Sequence, residues 1–132
     1  MGKSYRDLFI WYESVDVAAA IVAMTDEFPN PKRYALIDQM QRAAISVPSN
    51  IAEGKGRLTD KELRHFLGTA RGSLFELHTQ LEIARKLNLL KPGTYEHLLV
   101  RMRKIGSGIN NLLKRLNRSI AKQLNSSKRP SS

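Results

Sequence analysis

The feature that most constrains the fold is a series of apolar residues at three- and four-residue steps between residues 63 and 84. A heptad-like period puts these side chains on one stripe of a helix, as in helices that pack at shallow angles in a bundle. Thr59 and Glu62 form a capping-box pattern just before the series, so the sequence predicts a helix from about residue 59 to about residue 88. The stripe contains Leu63, Phe66, Leu67, Ala70, Leu74, Leu77, Leu81 and Ala84.

Three further segments, residues 7–28, 32–53 and 92–123, have helical periodicity, and none shows the sustained alternation of a strand. In the second, Asn30 is a predicted cap, Pro31 suits the first helical position, and Pro48 predicts a kink. The predicted core stripes are Leu8, Trp11, Val15, Ala18 and Val22 in the first helix, Leu36, Met40, Ala44, Val47 and Ile51 in the second, and Tyr95, Leu98, Leu99, Met102, Ile105, Ile109, Leu112, Leu113, Leu116 and Ile120 in the fourth.

Four amphipathic helices with short connections predict an all-α, up-down-up-down four-helix bundle. We expect one bundle domain over residues 1–124 and a disordered basic tail over residues 125–132, which contain four serines, one lysine, one arginine and one proline. Gly106 and Gly108 weaken the fourth helix by about 1 kcal/mol each relative to Ala, which indicates a close contact or flexibility there.

Positive charge is concentrated at the C-terminal end. The formal net charge is +10, and all 12 acidic residues precede residue 97, so nine of the ten units lie after residue 100. A basic segment attached to a nearly neutral body is typical of a surface that binds a polyanion. We expect phosphate contacts from Arg101, Arg103, Lys104, Lys114, Arg115, Arg118 and Lys122.

The sequence contains no complete residue pattern typical of a catalytic or metal site. The chain has no cysteine, which excludes disulfides, thiolate-bound metals and a thiol nucleophile. Glu62 and His65 have the spacing of a di-iron motif, but a di-iron bundle needs two such motifs and two further glutamates. We therefore expect no catalytic residue, metal or cofactor.

The longest uncharged apolar run, residues 17–24, is too short to span a bilayer, so we expect a cytoplasmic protein without a membrane partner.

Polar residues also follow a stripe on the second helix, namely Gln39, Arg42, Ser46, Asn50 and Glu53, with a counterpart of Thr69, Ser73, Glu76 and Gln80 on the third. One interpretation is a binding groove or a catalytic pair of Glu53 and Glu76. The favoured one is a structural network of Asn50, Glu53 and Ser73 with Arg42 or Arg71, because buried polar groups need hydrogen-bond partners. Trp11, Tyr12 and Phe66 are candidate stacking platforms for bases, although core packing is the favoured interpretation of all three.

Several segments resemble the four-helix-bundle proteins encoded in intervening sequences of bacterial 23S rRNA genes. The most specific is Arg-Ala-Ala-x-Ser-x-x-x-Asn-Ile-Ala-Glu-Gly from Arg42 to Gly54, and residues 5–8, 28–29, 56–57 and 70–77 also match. The resemblance implies a homopentameric bundle without established enzyme activity. It also implies kinship with the accessory variability protein of diversity-generating retroelements, which works with a reverse transcriptase and its RNA. The resemblance further implies a packing or interface role for nine residues, namely Arg42, Ser46, Asn50, Glu53, Gly54, Arg57, Gly72, Ser73 and Glu76.

Two functions follow as hypotheses. The first is a non-enzymatic, oligomeric accessory protein that binds RNA or a DNA–RNA hybrid through the basic C-terminal segment. The second is an oligomeric scaffold that binds a reverse transcriptase or another protein and contacts nucleic acid only incidentally.

Overall fold

A computed structural model of the chain describes residues 5–29 and 33–128. These residues form α1 (Tyr5–Asp26), α2 (Tyr34–Lys55), α3 (Asp60–Lys86) and α4 (Thr94–Lys128), with no strand among them. The predicted all-α bundle is confirmed. The predicted cap at Asn30 and the first position at Pro31 lie outside the described residues.

Each helix packs against two others, in the order α1–α2–α3–α4 and back to α1, and α2 and α3 share the most extensive contact. Neighbours are antiparallel, because contacts that advance along one helix recede along the next. In α1 and α4, for example, Asp7 contacts Arg115 and Glu13 contacts Arg101. The other pairs that show this reversal are Asp7–Lys55 and Thr25–Gln41, Arg64–Asn117 and Arg71–Asn110.

The core contains the predicted stripes of α2, α3 and α4. Residues predicted to face inward are buried on all three helices, with Leu36, Phe66, Tyr95, Leu99 and Leu113 only partly buried. The fully buried large side chains include Met40 and Ile51 of α2, Leu67, Leu77 and Leu81 of α3, and Ile105, Ile109, Leu112 and Leu116 of α4.

The predicted core stripe of α1 is wrong apart from Ala18, which is buried, and Trp11, which packs against the edge of the core. Leu8 and Val15 are exposed, Trp11 and Val22 are partly buried, and the helix instead turns Asp7, Ile10, Ser14, Val17, Ile21 and Thr25 into the bundle. Polar residues at three of these inward positions disguise the stripe. The two hydroxyls are satisfied within α1, since that of Ser14 donates to the carbonyl of Trp11 and that of Thr25 to the carbonyl of Ile21.

The structure defines the start of α3, the end of α3 and the end of α4. Thr59 caps α3 as predicted, because its hydroxyl accepts the amide of Glu62 at 3.2 Å. Asn88 follows α3 with φ of 58°, and the amide of Leu89 bonds the carbonyl of Ala84, which closes a Schellman motif. Helix α4 extends through Lys128, so residues 125–128, predicted to begin a disordered tail, are helical in the structure.

Gly108 explains how closely α1 approaches α4. A β-carbon at this position would lie 2.2 Å from Cγ2 of Ile10, a distance that real atoms do not reach. The close contact predicted for this part of α4 is therefore found at Gly108. At Gly106 a β-carbon would meet Leu74 at an ordinary 3.5 Å.

Helix α1 is also the one described helix that is long and apolar enough to cross a membrane, with a mean hydropathy of 1.5 over Asp7–Asp26. The same composition serves a bundle helix that has one buried face and one apolar outer face. In the structure Ile10, Val17 and Ile21 lie in the shared core and the carboxylate of Asp7 is buried against two cations.

Candidate nucleic-acid interface

The side of α4 that points away from the bundle carries five exposed cations, Arg103, Lys104, Lys114, Arg118 and Lys122. We call this surface the outer face of α4. At 1.5 Å per residue it extends over roughly 30 Å. No acidic residue follows Glu96 in the sequence, so no carboxylate from α4 itself interrupts this face. Five of the seven predicted phosphate contacts thus lie together on one accessible surface.

The other two predicted phosphate contacts, Arg101 and Arg115, are engaged within the bundle. Nε of Arg101 donates to Oε1 of Glu13 at 2.9 Å, and its guanidinium also lies 3.7 Å from Asp16. Nη2 of Arg115 donates to Oδ1 of Asp7 at 2.7 Å. Both arginines therefore tie α4 to α1, which the sequence did not indicate because their partners lie about a hundred residues away.

Asp7 anchors one end of the bundle. Its carboxylate is buried and also pairs with Nζ of Lys55 at 2.9 Å, so a single acid joins α1, α2 and α4. Burial by itself raises the pKa of Asp7, but the hydrogen bonds and charges of Lys55 and Arg115 outweigh it and hold the pKa below its usual value of 3.8.

Two grooves border the outer face of α4. The α1–α4 groove, of about 550 Å³, is lined by residues that include Phe9, Ile10, Lys104, Ser107, Gly108 and Arg115. The α3–α4 groove, of about 430 Å³, is lined by residues that include Arg71, Leu74, Phe75, Met102, Arg103 and Ser107. The basic side chains of the α1–α4 groove are Arg103, Lys104 and Arg115, and those of the α3–α4 groove are Arg71 and Arg103. Arg103 and Ser107 therefore border both grooves.

Part of the predicted polar network exists between α2 and α3. The hydroxyls of Ser46 and Ser73 are 2.8 Å apart, and Nδ2 of Asn50 donates to Oγ of Ser46 at 2.9 Å and to its carbonyl at 2.8 Å. Ser73 is buried and the other two are partly buried. The bond between Ser46 and Ser73 joins the two helices within one chain, and Asn50 bonds Ser46 within α2.

The structure does not bring the charged members into that network. Arg42 pairs with Asp38 on its own helix, Glu53 pairs with Arg57 at 2.5 Å, and Arg71 donates to Asn110 of α4. Gln39 and Glu76 are exposed. The prediction of Arg42, Arg71 and Glu53 as network members is corrected: on exposed helix surfaces these long side chains reach nearer partners than the buried serines.

Glu53 and Glu76 do not form a carboxylate pair. The antiparallel register that joins Ser46 to Ser73 places Gly54, next to Glu53, against Phe66. Glu76 lies ten residues further along α3, roughly 15 Å along the helix axis. Among the residues that the structure describes, no group of three or more His, Cys, Asp and Glu is placed to hold a metal.

The aromatic residues near the basic surface differ from those predicted. Trp11 is partly buried at the α1–α2 seam, and Phe66 is partly buried beneath the guanidinium of Arg57, 4.8 Å from the ring centre. Tyr12 is exposed but lines neither groove. The rings that do line the grooves are Phe9 and Phe75. Their signal in the sequence is that each falls outside the buried stripe of its helix.

A second polar cluster lies on the surface where α3 meets the start of α4. Glu82 pairs with Arg85 and accepts a hydrogen bond from Tyr95, and these contacts lower the pKa of Glu82 to about 2. The same hydrogen bond raises the pKa of Tyr95. His78 lies 3.4 Å from the Tyr95 hydroxyl. The cluster lies at the surface, and its side-chain hydrogen bonds join α3 to the start of α4.

Comparison with known proteins places this architecture in a family. Residues 6–111 match the family model described as 23S rRNA-intervening sequence protein. The fold is similar to a crystal structure of a protein with unknown function from the S23 ribosomal protein family of Bacteroides thetaiotaomicron. That match has a TM-score of 0.77 and 19% identity, and it covers 83% of this chain and 98% of the other. The comparison with curated proteins gave no match. Lys114, Arg115, Arg118 and Lys122 lie beyond the matched segment.

Proposed function

The chain belongs to the 23S rRNA-intervening sequence protein family, and from this premise we propose that it is a non-enzymatic, homo-oligomeric accessory protein of the cytoplasm that binds RNA or a DNA–RNA hybrid. The observation that carries the proposal is the outer face of α4, with five exposed cations and no acid on the helix after Glu96. Two further parts of the proposal rest on the family resemblance: the oligomer has five subunits, and its protein partner is a reverse transcriptase.

The outer face of α4 supports a polyanion ligand for a physical reason. Cations spread over several helical turns can each contact a phosphate, and every contact releases condensed counterions from the nucleic acid. Repetition of the face around an oligomer raises affinity for a long ligand through avidity. Phosphate contacts position a nucleic acid without reading its sequence, so specificity belongs to other parts of the surface.

The test is a fluorescence-anisotropy titration of a structured RNA over a salt series. The variant Lys104→Glu, Lys114→Glu, Arg118→Glu reverses three exposed cations of the outer face and leaves the ion pair of Arg115 with Asp7 intact. We expect it to lose binding. For the unmodified protein, log affinity should fall by roughly 0.7 to 0.9 per phosphate contact against log salt.

The matched control is Lys61→Glu, Lys86→Glu, Lys91→Glu, which changes the net charge equally on other exposed surfaces. We expect this control to keep most of the affinity. Equal losses in both triple variants would mean that only total charge matters, and unchanged affinity in the first variant would refute the interface.

One observation favours the alternative, an oligomeric protein scaffold. The outer side of α1 exposes Leu8, Tyr12 and Val15 to solvent. Contiguous apolar side chains on a surface typically mark a protein contact. Val15→Asp should then dissociate the oligomer in sedimentation analysis without loss of helicity, and persistence of the assembly would remove α1 from the contact.

A further inference from the structure

The middle of α4 carries three consecutive small residues. Gly106, Ser107 and Gly108 lie there, between the two grooves, and Ser107 lines both. Packing requires only one of the two glycines, because a β-carbon would clash with Ile10 at position 108 but would make ordinary contact at position 106. A glycine in a helix costs about 1 kcal/mol relative to Ala. Gly106 therefore weakens α4 without a packing reason. It leaves the part of α4 between the grooves, which we call the ridge, without a side chain at this position.

An exposed phenylalanine stands in each groove, on opposite sides of this ridge. Phe9 of α1 is 43% exposed and Phe75 of α3 is 63% exposed. Lys104 and Arg115 line the groove of Phe9, Arg71 lines the groove of Phe75, and Arg103 lines both. The carboxylate of Asp7 borders the first groove but is buried and paired with two cations, so both grooves present positive charge.

We propose that single-stranded nucleic acid crosses α4 at Gly106–Gly108, with one unpaired base against Phe9 and another against Phe75. The phosphates between these bases contact Arg103 and Lys104 on the ridge. The inference rests on the proposed function and specifies the form of nucleic acid that this surface selects.

The chemistry of the surface distinguishes single strands from duplexes. An aromatic ring beside a cation is the usual platform for an unpaired base, because every base has a face that can stack. In a duplex the bases are already stacked and paired, so the duplex can use the cations of the ridge but not the rings. A protein ligand fits less well, since it would need acidic groups matched to four basic side chains around two separated apolar grooves.

The experiment compares three probes by fluorescence anisotropy: a short RNA without self-complementarity, the duplex of the same length, and the same single strand with abasic sites at its central positions. The unmodified protein should bind the single strand more tightly than the abasic strand. Phe9→Ala and Phe75→Ala should each weaken single-strand binding by about fivefold or more, since stacking on one ring contributes about 1–3 kcal/mol. Neither should change duplex binding.

Tyr34→Ala is the matched control, because Tyr34 of α2 is an exposed aromatic residue that lines neither groove and lies outside the apolar side of α1. It should change nothing. Ser107→Leu raises the ridge at an exposed position and should weaken single-strand binding while it preserves the thermal melting temperature. Leu is a better helix former than Ser, so a folding defect is not expected.

The outcomes separate this inference from the proposed function. If both phenylalanine variants and Ser107→Leu bind the single strand like the unmodified protein, the crossing is overturned while the charge-reversal result stands. Equal losses for single strand and duplex would also overturn it, because stacking would then not be the cause. If no probe binds the unmodified protein near physiological salt, the proposed function itself fails.

Discussion

Ile10 occupies the space that a side chain at Gly108 would need, and this relationship sets the distance between α1 and α4. Cγ2 of Ile10 would lie 2.2 Å from a β-carbon at position 108. Ile10 is only 1% exposed and belongs to the core, so a shift of its side chain would disturb its buried neighbours. The seam that this contact closes also forms the floor of the α1–α4 groove.

Gly108→Ala should destabilise the protein although Ala is the better helix former. Overpacking a core contact costs about 1–3 kcal/mol, which exceeds the gain of up to about 1 kcal/mol in helix propensity. Gly106→Ala, two residues away, meets only an ordinary contact and should be neutral or stabilising. Urea denaturation measures both free energies of unfolding, and equal values would contradict the steric interpretation. The cost of Gly108→Ala should also shrink in an Ile10→Ala background.

Asp7→Asn should lower the free energy of unfolding at neutral pH by about 2 kcal/mol. Breaking a buried ion pair costs about 3–5 kcal/mol. We expect a smaller cost for Asp7, because its partner Arg115 remains partly in contact with water. The pKa of Asp7 is lowered in the folded state, so its contribution is complete above the unfolded pKa of about 3.9 and is lost as the pH falls through the folded value. The difference between the two proteins should be constant above about pH 5 and shrink below about pH 4. If the difference in free energy of unfolding grew as the pH fell, the pKa of Asp7 would not be lowered in the folded state.

Arg101→Ala and Arg103→Ala should separate stability from binding. Arg101 is partly buried and pairs with Glu13, so its loss should reduce stability by about 1 kcal/mol. Arg103 is exposed on the outer face of α4, and its loss should change stability by no more than about 0.5 kcal/mol. Arg103→Ala should instead weaken RNA binding and reduce the salt slope by about one phosphate contact. Thermal melting and the salt series together decide whether the two neighbours have these different roles.

Ser73→Ala should cost about 1 kcal/mol, because it removes the bond to Ser46 inside the α2–α3 contact. The double variant Ser46→Ala, Ser73→Ala should cost less than the sum of the single changes, since removal of both hydroxyls leaves neither buried without a partner. Arg42→Ala provides the comparison from the same motif. Its pair with Asp38 is exposed, and we expect almost no effect. Additive losses for the two serines would show that they do not interact.

The candidate site was predictable where charge and helical period coincide. The basic residues after residue 100 and the apolar stripe of α4 together place Arg103, Lys104, Lys114, Arg118 and Lys122 on the solvent side of a bundle helix. Arg101 and Arg115 have the same sequence character. Their roles differ because α1 brings carboxylates to them, and the distance along the chain conceals that encounter.

Local periodicity in the sequence thus determined the four helices, the capping of α3 by Thr59 and the core faces of α2, α3 and α4, because those faces are apolar at nearly every inward position. Only the tertiary structure decided the orientation of α1. Its apolar residues surround most of the helix, and Asp7 is buried because Lys55 and Arg115 arrive from two other helices to neutralise it. The grooves beside α4, and the phenylalanines in them, likewise exist only where α4 packs against α1 and against α3. A side chain's neighbours across a bundle are set by the packing of whole helices, and that is a property no single stretch of sequence contains.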